Sequence, residues 1–571
     1  MALEIEKQRY YDSRLVQTRP KYAINQGALS VSSAPFVSLT ASSSQMSFQL
    51  QCPASVFLDR RLPISASVFV QLTVFPGADA AIGDPVIVWG RDFSCAAHPL
   101  HSLFSTIQCN LGDAQISVNS SQTRDVLLRL LDSKAGRRYK TSAAALETFA
   151  SNNDAAGTLS NPLASFSDAL FDAEPNGCSS DFVFINPVTG EPLQGNAGYA
   201  YNGTNYTVND GVPTVIAGAP IGGYPIFVRL ASTELLQLSP FLWESDVEDK
   251  TGLFGLTNIS ITINLQSVNS ARMLRFASVY GRMVAVPPSY WTPPGSTSPF
   301  SNARISATFL TPPLSVPLAP RSVVPWMEAV AYQLPITIGA GPGNRVSSQT
   351  LSLACIPDII LFAITPVQYG QYDGSWFFTP TSISLAYNNF SGLLSSLTQQ
   401  QLYQMTCETG LTQTWSQWRG TARTQAGIVQ TTGGFLALQT GRHIPLSEGE
   451  AAGVVQNITL QAQLSVDGIG AATPCMLSVI CLNSGFLVSE KSQVRVIRGP
   501  ISQSDVISSP VMGTHDDLKR MIGSGVSDRL ASALSKGKDW ASGVAHSVSE
   551  KLPQVIKAAR HLGTELAHRI M

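Results

Sequence analysis

The sequence predicts an all-β protein with at least two β-sandwich or jelly-roll domains and a C-terminal amphipathic helical tail. Many short segments alternate apolar and polar residues, as strands do when one face is buried. Clusters of Gly, Pro, Asn and Ser, the residues of turns, separate these segments. The chain has 571 residues, and a single core stops growing at about 250–300 residues, so more than one domain is expected. Many short strands with little helix between them are typical of sandwiches and jelly rolls.

The strands are predicted wherever this alternation is sustained. Gln45–Leu50 and Ile64–Val74 carry apolar side chains at every second position. The same pattern predicts strands at Ile107–Val118, Ile259–Leu265, Ile359–Ile364, Ile458–Val466 and Met476–Leu482.

One early helix is predicted over Arg124–Leu131, with Thr123 or Ser121 as its N-cap. The residues Val126, Leu127, Leu130 and Leu131 form its apolar face. The stretch 134–230 has little periodicity and much Gly, Asn and Ala, so a long loop with minor strands is expected there.

A second break lies at 287–300, where Pro287-Pro288 and Pro293-Pro294 flank Tyr290-Trp291. Prolines in such pairs do not suit central strands, so this stretch is the predicted domain linker, and a new strand series begins at Ile305. The expected divisions are an N-terminal arm (1–34), a first jelly roll with a long loop insertion (35–290), a second jelly roll (301–500) and a helical tail (511–571).

The tail is predicted to form two amphipathic helices, one capped by Ser527 and one beginning near Pro553. Their apolar faces carry Leu530, Leu534, Ala541, Val544, Val548, Leu552, Ile556, Ala559, Leu562, Leu566 and Ile570. The opposite face carries Lys536, Lys538, Lys551, Lys557, Arg560, His561, His568 and Arg569. Basic amphipathic helices of this kind bind membrane surfaces or dock onto protein partners.

Charge is unusually scarce along the chain. Charged residues make up 13% of the sequence, against about 25% in ordinary globular proteins, and the formal net charge is −1. This composition indicates much surface hidden against neighbouring subunits. It does not favour nucleic-acid binding, which needs clustered Lys and Arg; the basic residues of the first 21 positions are largely offset by Glu4, Glu6 and Asp12.

Eight cysteines are scattered without a CxxC pair, which predicts buried thiols in a reducing compartment. The N-terminus has no apolar signal core and no run of 18 apolar residues occurs, so synthesis in the cytosol is expected.

Candidate chemical sites are weak. His98 and His101, with Cys95 and Cys109 nearby, are possible metal ligands, but a loop entering a strand is the favoured interpretation. Cys475 and Cys481 lie six residues apart in one predicted strand, too distant to bridge.

Other glycine-rich and acidic stretches also favour structural roles. Gly339-Ala340-Gly341-Pro342-Gly343 lacks the Lys-Ser/Thr of a phosphate loop and is predicted to be a turn. Asp246, Glu248 and Asp249 are expected in a surface loop. With no catalytic motif and no cofactor-binding motif, the sequence does not predict an enzyme.

Several passages, in order along the chain, resemble the double jelly-roll major capsid proteins of virophages, polinton-like viruses and adintoviruses. The similarity covers roughly residues 35–500. Its passages are Pro53–Arg61, His98–Ile107, Asn110–Val118, Asn161-Pro162-Leu163, Ser239–Trp243, Gly252–Ile259, Phe309–Pro312, Arg321–Pro325, Ile356-Pro357-Asp358, Asn389–Leu394 and Gly433–Leu436 before the strand at 457–466.

The resemblance implies two tandem jelly rolls in one chain, three chains in a pseudo-hexagonal capsomer, and capsomers that tile an icosahedral shell of a DNA virus. The partners it implies are further copies of the chain and penton or minor capsid proteins. The protein would reside in the virion after synthesis in the host cytoplasm, with assembly in the nucleus or a cytoplasmic factory.

The tail contains Met521-Ile522-Gly523-Ser524-Gly525, which is similar to the recognition pattern of adenovirus-type cysteine proteases. Cleavage after Ser524 by a viral maturation protease would release residues 525–571, which could then contact a membrane. The alternatives are that Gly523 and Gly525 only separate two helices, and that the peptide docks inside the shell as a scaffold.

Two rival functions remain at the level of sequence. One is a minor or penton capsid protein with a single fold unit. The other is a β-sandwich carbohydrate-binding protein or glycosidase, for which Trp415 and Trp418 would supply an aromatic platform. A packed loop is the favoured interpretation of these two tryptophans.

Overall fold

Two hydrophobic cores, each enclosed by two antiparallel sheets, organise the described part of the chain. The computed structural model describes residues 28–508. Gaps in this range fall at 54, 77–79, 88–92, 96–97, 132–181, 219, 221, 242–251, 269–272, 277–282, 314–320, 369–375, 412, 425–426, 432, 469–470, 491–492 and 500–502.

The described chain up to Thr311 builds the first sandwich. Its strands are β1 (Ser30–Val37), β2 (Thr40–Ala41), β3 (Gln45–Gln51), β4 (Phe57–Leu58), β5 (Pro63–Phe75), β6 (Phe93–Cys95), β7 (Phe104–Leu111), β8 (Ala114–Val118), β9 (Phe182–Phe184), β10 (Tyr199–Tyr201), β11 (Thr204–Tyr206), β12 (Val208–Asn209), β13 (Val212–Pro213), β14 (Tyr224–Leu235), β15 (Asn258–Leu265), β16 (Leu274–Phe276), β17 (Met283–Tyr290) and β18 (Phe300–Thr311). Sheet A has the order β1-β18-β5-β14-β9, with β17 also paired to β5 and β4 also paired to β18, and sheet B has the order β2-β3-β15-β7-β8.

The second sandwich follows from Arg321. Its strands are β19 (Arg321–Ile338), β20 (Asn344–Ser347), β21 (Leu351–Cys355), β22 (Ile359–Pro366), β23 (Pro380–Tyr387), β24 (Phe390–Leu393), β25 (Thr421–Thr424), β26 (Gly427–Gln430), β27 (Leu436–Gln439), β28 (Val455–Val466), β29 (Thr473–Glu490) and β30 (Gln493–Arg498). Sheet C has the order β19-β29-β22-β27, with β30 beside β29, and sheet D has the order β20-β28-β23-β24, with β21 beside β28.

The helices are short and lie between strands. They are α1 (Pro99–Leu103), α2 (Ser120–Leu131), α3 (Gln399–Glu408), α4 (Trp415–Arg419) and α5 (Gln503–Ser508). Helix α3 begins with a capping box in which the Thr398 hydroxyl accepts from the Gln401 N–H and the Gln401 side chain accepts from the Thr398 N–H.

Alternating side chains explain why each sheet buries one face. In β3, Met46, Phe48 and Leu50 are buried while the residues between them are more exposed. Phe48 lies opposite Ile261 of β15, so both strands turn apolar residues towards the first core. A slip of one residue in this pairing would expose the whole apolar set, which is why the register is well specified.

Both sandwiches use the same strand order. Taking β1, β3, β5, β7, β8, β14, β15 and β18 as the eight principal strands of the first sandwich, sheet A runs first-eighth-third-sixth and sheet B runs second-seventh-fourth-fifth. The corresponding strands of the second sandwich are β19, β20 with β21, β22, β23, β24, β27, β28 and β29, and sheets C and D repeat the order. Two antiparallel sheets connected in this way form a jelly roll. The predicted fold class, two tandem jelly-roll sandwiches, is confirmed for the described residues.

Most predicted strands are present with longer bounds, and one is divided. The predicted strand over Ile107–Val118 is the hairpin of β7 and β8, whose turn contains Gly112 with a φ of 58°. Left-handed backbone of this kind favours glycine. The predicted strand at Met476–Leu482 is the middle of β29, which continues to Glu490.

The predicted linker at 287–300 is wrong. Residues Met283–Tyr290 form β17, which pairs with β5, and the register shifts between Val286 and Ser289, where the two prolines lie. Prolines are tolerated at such a shift because the ladder of backbone hydrogen bonds is already interrupted there. Strand β18 also lies between β1 and β5, so the first sandwich extends to Thr311, beyond the predicted boundary at 290.

Three further expectations need correction. The predicted arm (1–34) overlaps β1, which begins at Ser30 and pairs with β18. Helix α2 begins at Ser120 rather than Arg124, and the Thr123 hydroxyl donates to the Asn119 carbonyl instead of capping the helix. The expected loop with minor strands at 134–230 runs into β14 (Tyr224–Leu235), an interior strand of sheet A, and 132–181 lies outside the described residues.

Candidate functional site

The two sandwiches share apolar side chains at their joint. Val324 and Trp326 of β19, Leu487 of β29 and Val494 of β30 belong to the second sandwich but are buried in the first core. The joint therefore removes apolar surface from water on both sides, which is the main favourable term when two bodies pack together.

Helix α2 makes the reciprocal contact. It follows β8 of the first sandwich, yet Val126, Leu127 and Leu130 are buried in the second core. These are three of the four residues of the predicted apolar face. The helix thus ties the two sandwiches together, and its apolar face explains why it leaves its own core.

A polar contact supplements this packing. The Met327 N–H of β19 donates to the Ser239 hydroxyl, at 3.0 Å, across the joint. Beside it, Arg498 lies 5.5 Å from the Trp326 ring centroid and pairs with Glu328 at 3.1 Å. Because Arg498 is largely exposed, this ion pair contributes little, and the apolar contacts dominate the joint.

A buried His–Glu pair fixes α1 against β14. His101 Nδ1 lies 2.6 Å from Glu234 Oε2, and both side chains are fully buried. Glu234 also accepts from the Leu100 N–H at 2.7 Å, the His101 N–H at 3.0 Å and the Ser232 hydroxyl at 2.9 Å. The carboxylate is thus surrounded by donors, as a buried charge must be.

These contacts set the charge of Glu234. Burial alone raises the pKa of this carboxyl, but the hydrogen bonds from the His101 ring and the Leu100 N–H outweigh it. The pKa of Glu234 is therefore lowered from its ordinary value.

The candidate metal ligands do not converge. His101 is engaged by Glu234, and the His98 ring lies edge-on to it at 6.4 Å. Cys109 is buried in β7, where desolvation raises the pKa of its thiol, and the side chain of Cys95 lies outside the described part. Among the described residues, no group of three or more His, Cys, Asp or Glu side chains could hold a metal ion.

Two structural predictions are confirmed. Gly339–Gly343 is a turn between β19 and β20, with positive φ at Gly341 and Gly343. The Asn344 side chain accepts from the Gly339 N–H and donates to the Gly339 and Gly341 carbonyls. Cys475 and Cys481 lie in the single strand β29 as free thiols.

The tryptophan pair is packed, although on a short helix rather than the predicted loop. Trp415 and Trp418 of α4 stack at 5.8 Å, and Tyr403 of α3 meets both rings. Trp418 is fully buried and its Nε1 donates to the Phe435 carbonyl at 2.8 Å. A carbohydrate platform needs an exposed ring face, so Trp418 does not supply one.

Two sets of predicted site residues cannot be placed. The acidic cluster Asp246, Glu248 and Asp249 lies outside the described residues. So do the cleavage motif Met521–Gly525 and the tail helices. In the part that is described, no helix combines the length and the apolar character needed to cross a bilayer.

Sequence reasoning missed Glu234. The alternation Tyr224, Ile226, Val228, Leu230 marks β14, and continuing it places Glu234 on the buried face. An inward-facing carboxylate at the end of such a run indicates a buried partner, although the alternation does not say which residue it is.

Comparisons with known proteins agree with this architecture. A family model described as the Sputnik virophage major capsid protein 1st domain matches residues 4–310. A second, described as the major capsid protein V20 C-terminal domain, matches residues 330–485. The putative capsid protein V20 of Sputnik virophage is 24% identical over 529 residues, which cover 88% of this chain and 81% of that protein.

Solved structures show the same fold. A chain in the cryo-EM structure of the Sputnik virophage is 21% identical and superposes with a TM-score of 0.72, covering 91% of this chain and 99% of that one. The crystal structure of the mavirus major capsid protein gives a TM-score of 0.59 at 10% identity, covering 90% and 99%.

The predicted resemblance to virophage capsid proteins is thereby confirmed. The relatives are capsid proteins rather than enzymes, in keeping with the lack of a catalytic motif. Since the first family model alone spans more than half of the sequence and the paired jelly rolls match its fold, the chain belongs to the Sputnik virophage major capsid protein family.

Proposed function

We propose that this major capsid protein forms homotrimers with a pseudo-hexagonal outline, and that these capsomers tile the icosahedral shell of a DNA virus. The observation that carries the proposal is the repeated strand order of the two sandwiches. Three chains in a ring present six similar jelly rolls, so a threefold assembly approximates sixfold packing.

The joint supports the same proposal. Val324, Trp326, Leu127 and Leu130 are buried where the two sandwiches meet, which favours a fixed angle between them. A ring of six jelly rolls closes only if the angle within each chain is fixed, because a flexible joint would allow open chains of subunits. The scarcity of charged residues is also typical of subunit interfaces, whose centres are depleted of charge.

Light scattering on the purified full-length chain tests the trimer. The expected mass is three times the 61.0 kDa of one chain, independent of dilution over the micromolar range. A chain that remains monomeric at all concentrations would contradict the proposal. A monomer that binds or hydrolyses glycans would support the carbohydrate alternative instead.

The tail is proposed to be removed by proteolysis as the virus particle matures. Cleavage after Ser524 by an adenovirus-type cysteine protease would release residues 525–571. The support is the match of Met521–Gly525 to the recognition pattern, together with the position of α5, whose Val506 packs against the second core. The motif thus follows an anchored helix by little more than ten residues, where a protease can extend its substrate.

Mass spectrometry of purified particles tests the cleavage. The expected shell protein ends at Ser524 and the peptide 525–571 is separate. A matched variant, Gly523→Val, should leave the chain intact because the pattern requires glycine there. Mature particles that contain only full-length chain would rule the cleavage out.

The free peptide is proposed to act on membranes. Its predicted helices carry apolar residues on one face and basic residues on the opposite face, which is the pattern of helices that lie in a bilayer interface. Synthetic 525–571 should release dye from anionic vesicles, whereas a control peptide with Leu530 and Leu534 replaced by Ser should not. Equal inactivity of both peptides would favour a scaffold role inside the shell, alongside penton or minor capsid proteins.

A further inference from the structure

Strand β1 forms an outer edge of sheet A. It pairs with β18 on one side, and no other described strand pairs with it. Ala34 and Phe36 turn towards the first core. The odd-numbered residues of the strand therefore face the opposite surface of the sheet.

That outward surface carries an apolar stripe. Val31 and Val37 lie on the outward face of β1, and Leu29 and Leu39 lie just beyond its two ends. All four are between 65% and 69% exposed. Val31 also lies opposite Leu310 of β18, which adds apolar area to one end. These exposed apolar side chains cluster at the two ends of the strand, with Ser33 and Pro35 between them on the same face.

The surrounding sequence lacks charge altogether. Residues 22–58 contain no Asp, Glu, Lys or Arg, although 13% of the chain is charged. Exposed edge strands of soluble monomers are usually guarded by Lys or other charged residues. A 37-residue uncharged stretch with an exposed apolar face is therefore suited to burial against another protein surface.

The contact should involve the face of β1 rather than its edge. The Ser38 N–H donates to the Ala303 carbonyl, so within the strand the even-numbered residues bond to β18 and the nitrogen of Pro35 faces the open edge. Just before the strand, the Leu29 N–H also donates to β18, at the Thr311 carbonyl. Proline has no N–H to donate there, which disfavours adding a further strand. A partner would therefore bind β1 by packing against the side chains of the stripe.

We propose that this stripe, formed by Leu29, Val31, Val37 and Leu39, binds a second copy of the chain within the capsomer. The inference rests on the proposed homotrimer and locates one of its contacts. The chain's own first 21 residues are a poorer occupant, because eight of them are charged and would lose hydration on an uncharged surface. Another copy of a low-charge capsid protein fits the stripe better.

The double variant V31D/V37D tests the contact in the full-length chain. Two buried carboxylates should weaken self-association on the order of 100-fold, measured by light scattering across a dilution series. The matched control is V188D/V367D, which changes two other exposed valines in the same way and should assemble normally. Circular dichroism and thermal unfolding establish that both variants fold.

A cross-linking measurement keeps the proposal testable even if V31D/V37D fails to fold. A benzophenone amino acid at position 37 of the otherwise natural chain should yield covalent dimers between chains on illumination. Cross-links confined to residues 1–27 of the same chain would overturn the proposal.

The outcomes separate the two proposals. Assembly of V31D/V37D as tight as that of the control would overturn the β1 contact and leave the trimer standing. A natural chain that stays monomeric would overturn the trimer and the contact with it.

Discussion

His101 and Glu234 form a buried hydrogen bond of 2.6 Å between Nδ1 and Oε2, which joins α1 to the end of β14. The other ring nitrogen, Nε2, accepts from the Gln237 N–H at 3.1 Å. The imidazole therefore carries its proton on Nδ1 and donates it to the carboxylate. Since Arg124 of α2 donates to the His101 carbonyl, the pair also connects to the helix that crosses the joint.

Replacing Glu234 with Gln should lower the free energy of unfolding by about 3–5 kcal/mol. The amide nitrogen of Gln donates, whereas the groups around this side chain are themselves donors, so at least one buried donor loses its partner. Urea denaturation with a constant m-value measures the change.

The matched control for this variant is Glu191→Gln, because Glu191 is exposed. It should change the free energy of unfolding by less than about 0.5 kcal/mol. A Glu234→Gln protein as stable as the control would show that the buried pair is dispensable.

The stability of the natural chain should fall on acidification because of Glu234. Its folded-state pKa lies below the ordinary value of 4.5, so the unfolded chain binds the proton first. The stabilisation is therefore complete above the unfolded-state pKa and is lost as pH falls through the folded-state pKa. Unfolding measured from about pH 6 downwards should show a steeper loss in the natural chain than in Glu234→Gln. Parallel curves would be evidence against the charged carboxylate.

Shortening two buried side chains of α2 should uncouple the unfolding of the two sandwiches. Leu127→Ala and Leu130→Ala each remove a buried side chain from the second core, at a cost of about 2–5 kcal/mol. Calorimetry should show one cooperative transition in the natural chain and two in the double variant, because the helix no longer fills the joint.

Ile82→Ala serves as the control for the α2 variants, since Ile82 is 72% exposed. Its melting curve should match that of the natural chain. A single transition in the double α2 variant would mean that β19 and β30 hold the sandwiches together without the helix.

Gly434→Ala should be strongly destabilising. A Cβ at this position would run into Cδ1 of Trp418, which is buried and hydrogen-bonded and cannot move aside cheaply. Gly203→Ala is the control, because its φ of 78° is unfavourable for Ala but a Cβ there meets no atom. Only the backbone cost of about 1 kcal/mol is expected for the control. Equal losses in thermal stability would show that the contact with Trp418 is not tight.

Strand alternation predicted most of the fold because each sheet buries one face. The segments around Phe48, Val68, Ile261 and Leu460 could be recognised from local pattern alone, and their burial confirms the pattern. The spatial order of the strands within a sheet depends on contacts between residues far apart in the chain. The prediction of jelly-roll topology therefore came from the family resemblance.

The predicted boundary between the two domains was wrong for a physical reason. Pro287 and Pro288 are incompatible with a regular central ladder, but β17, which pairs with β5, accommodates them at a register shift. No local signal distinguishes such a strand from a linker. The return of β18 to pair with β1, more than 260 residues earlier, is equally invisible in local sequence.

The candidate site was the least predictable part. The joint depends on Trp326 and Leu130 burying themselves in the core of the other sandwich, and a long-range contact of this kind leaves no periodic signature. The apolar stripe on β1 did leave a signal in the sequence, the absence of charged residues over 22–58. Its exposure became apparent only from the strand pairing.

Cryo-EM of the purified full-length chain tests the central claim most directly. The account predicts threefold particles in which six jelly rolls form a pseudo-hexagon, with both sandwiches of each chain in the ring. Particles in which each chain places only one sandwich in a closed ring, or single chains with no defined symmetry, would contradict it.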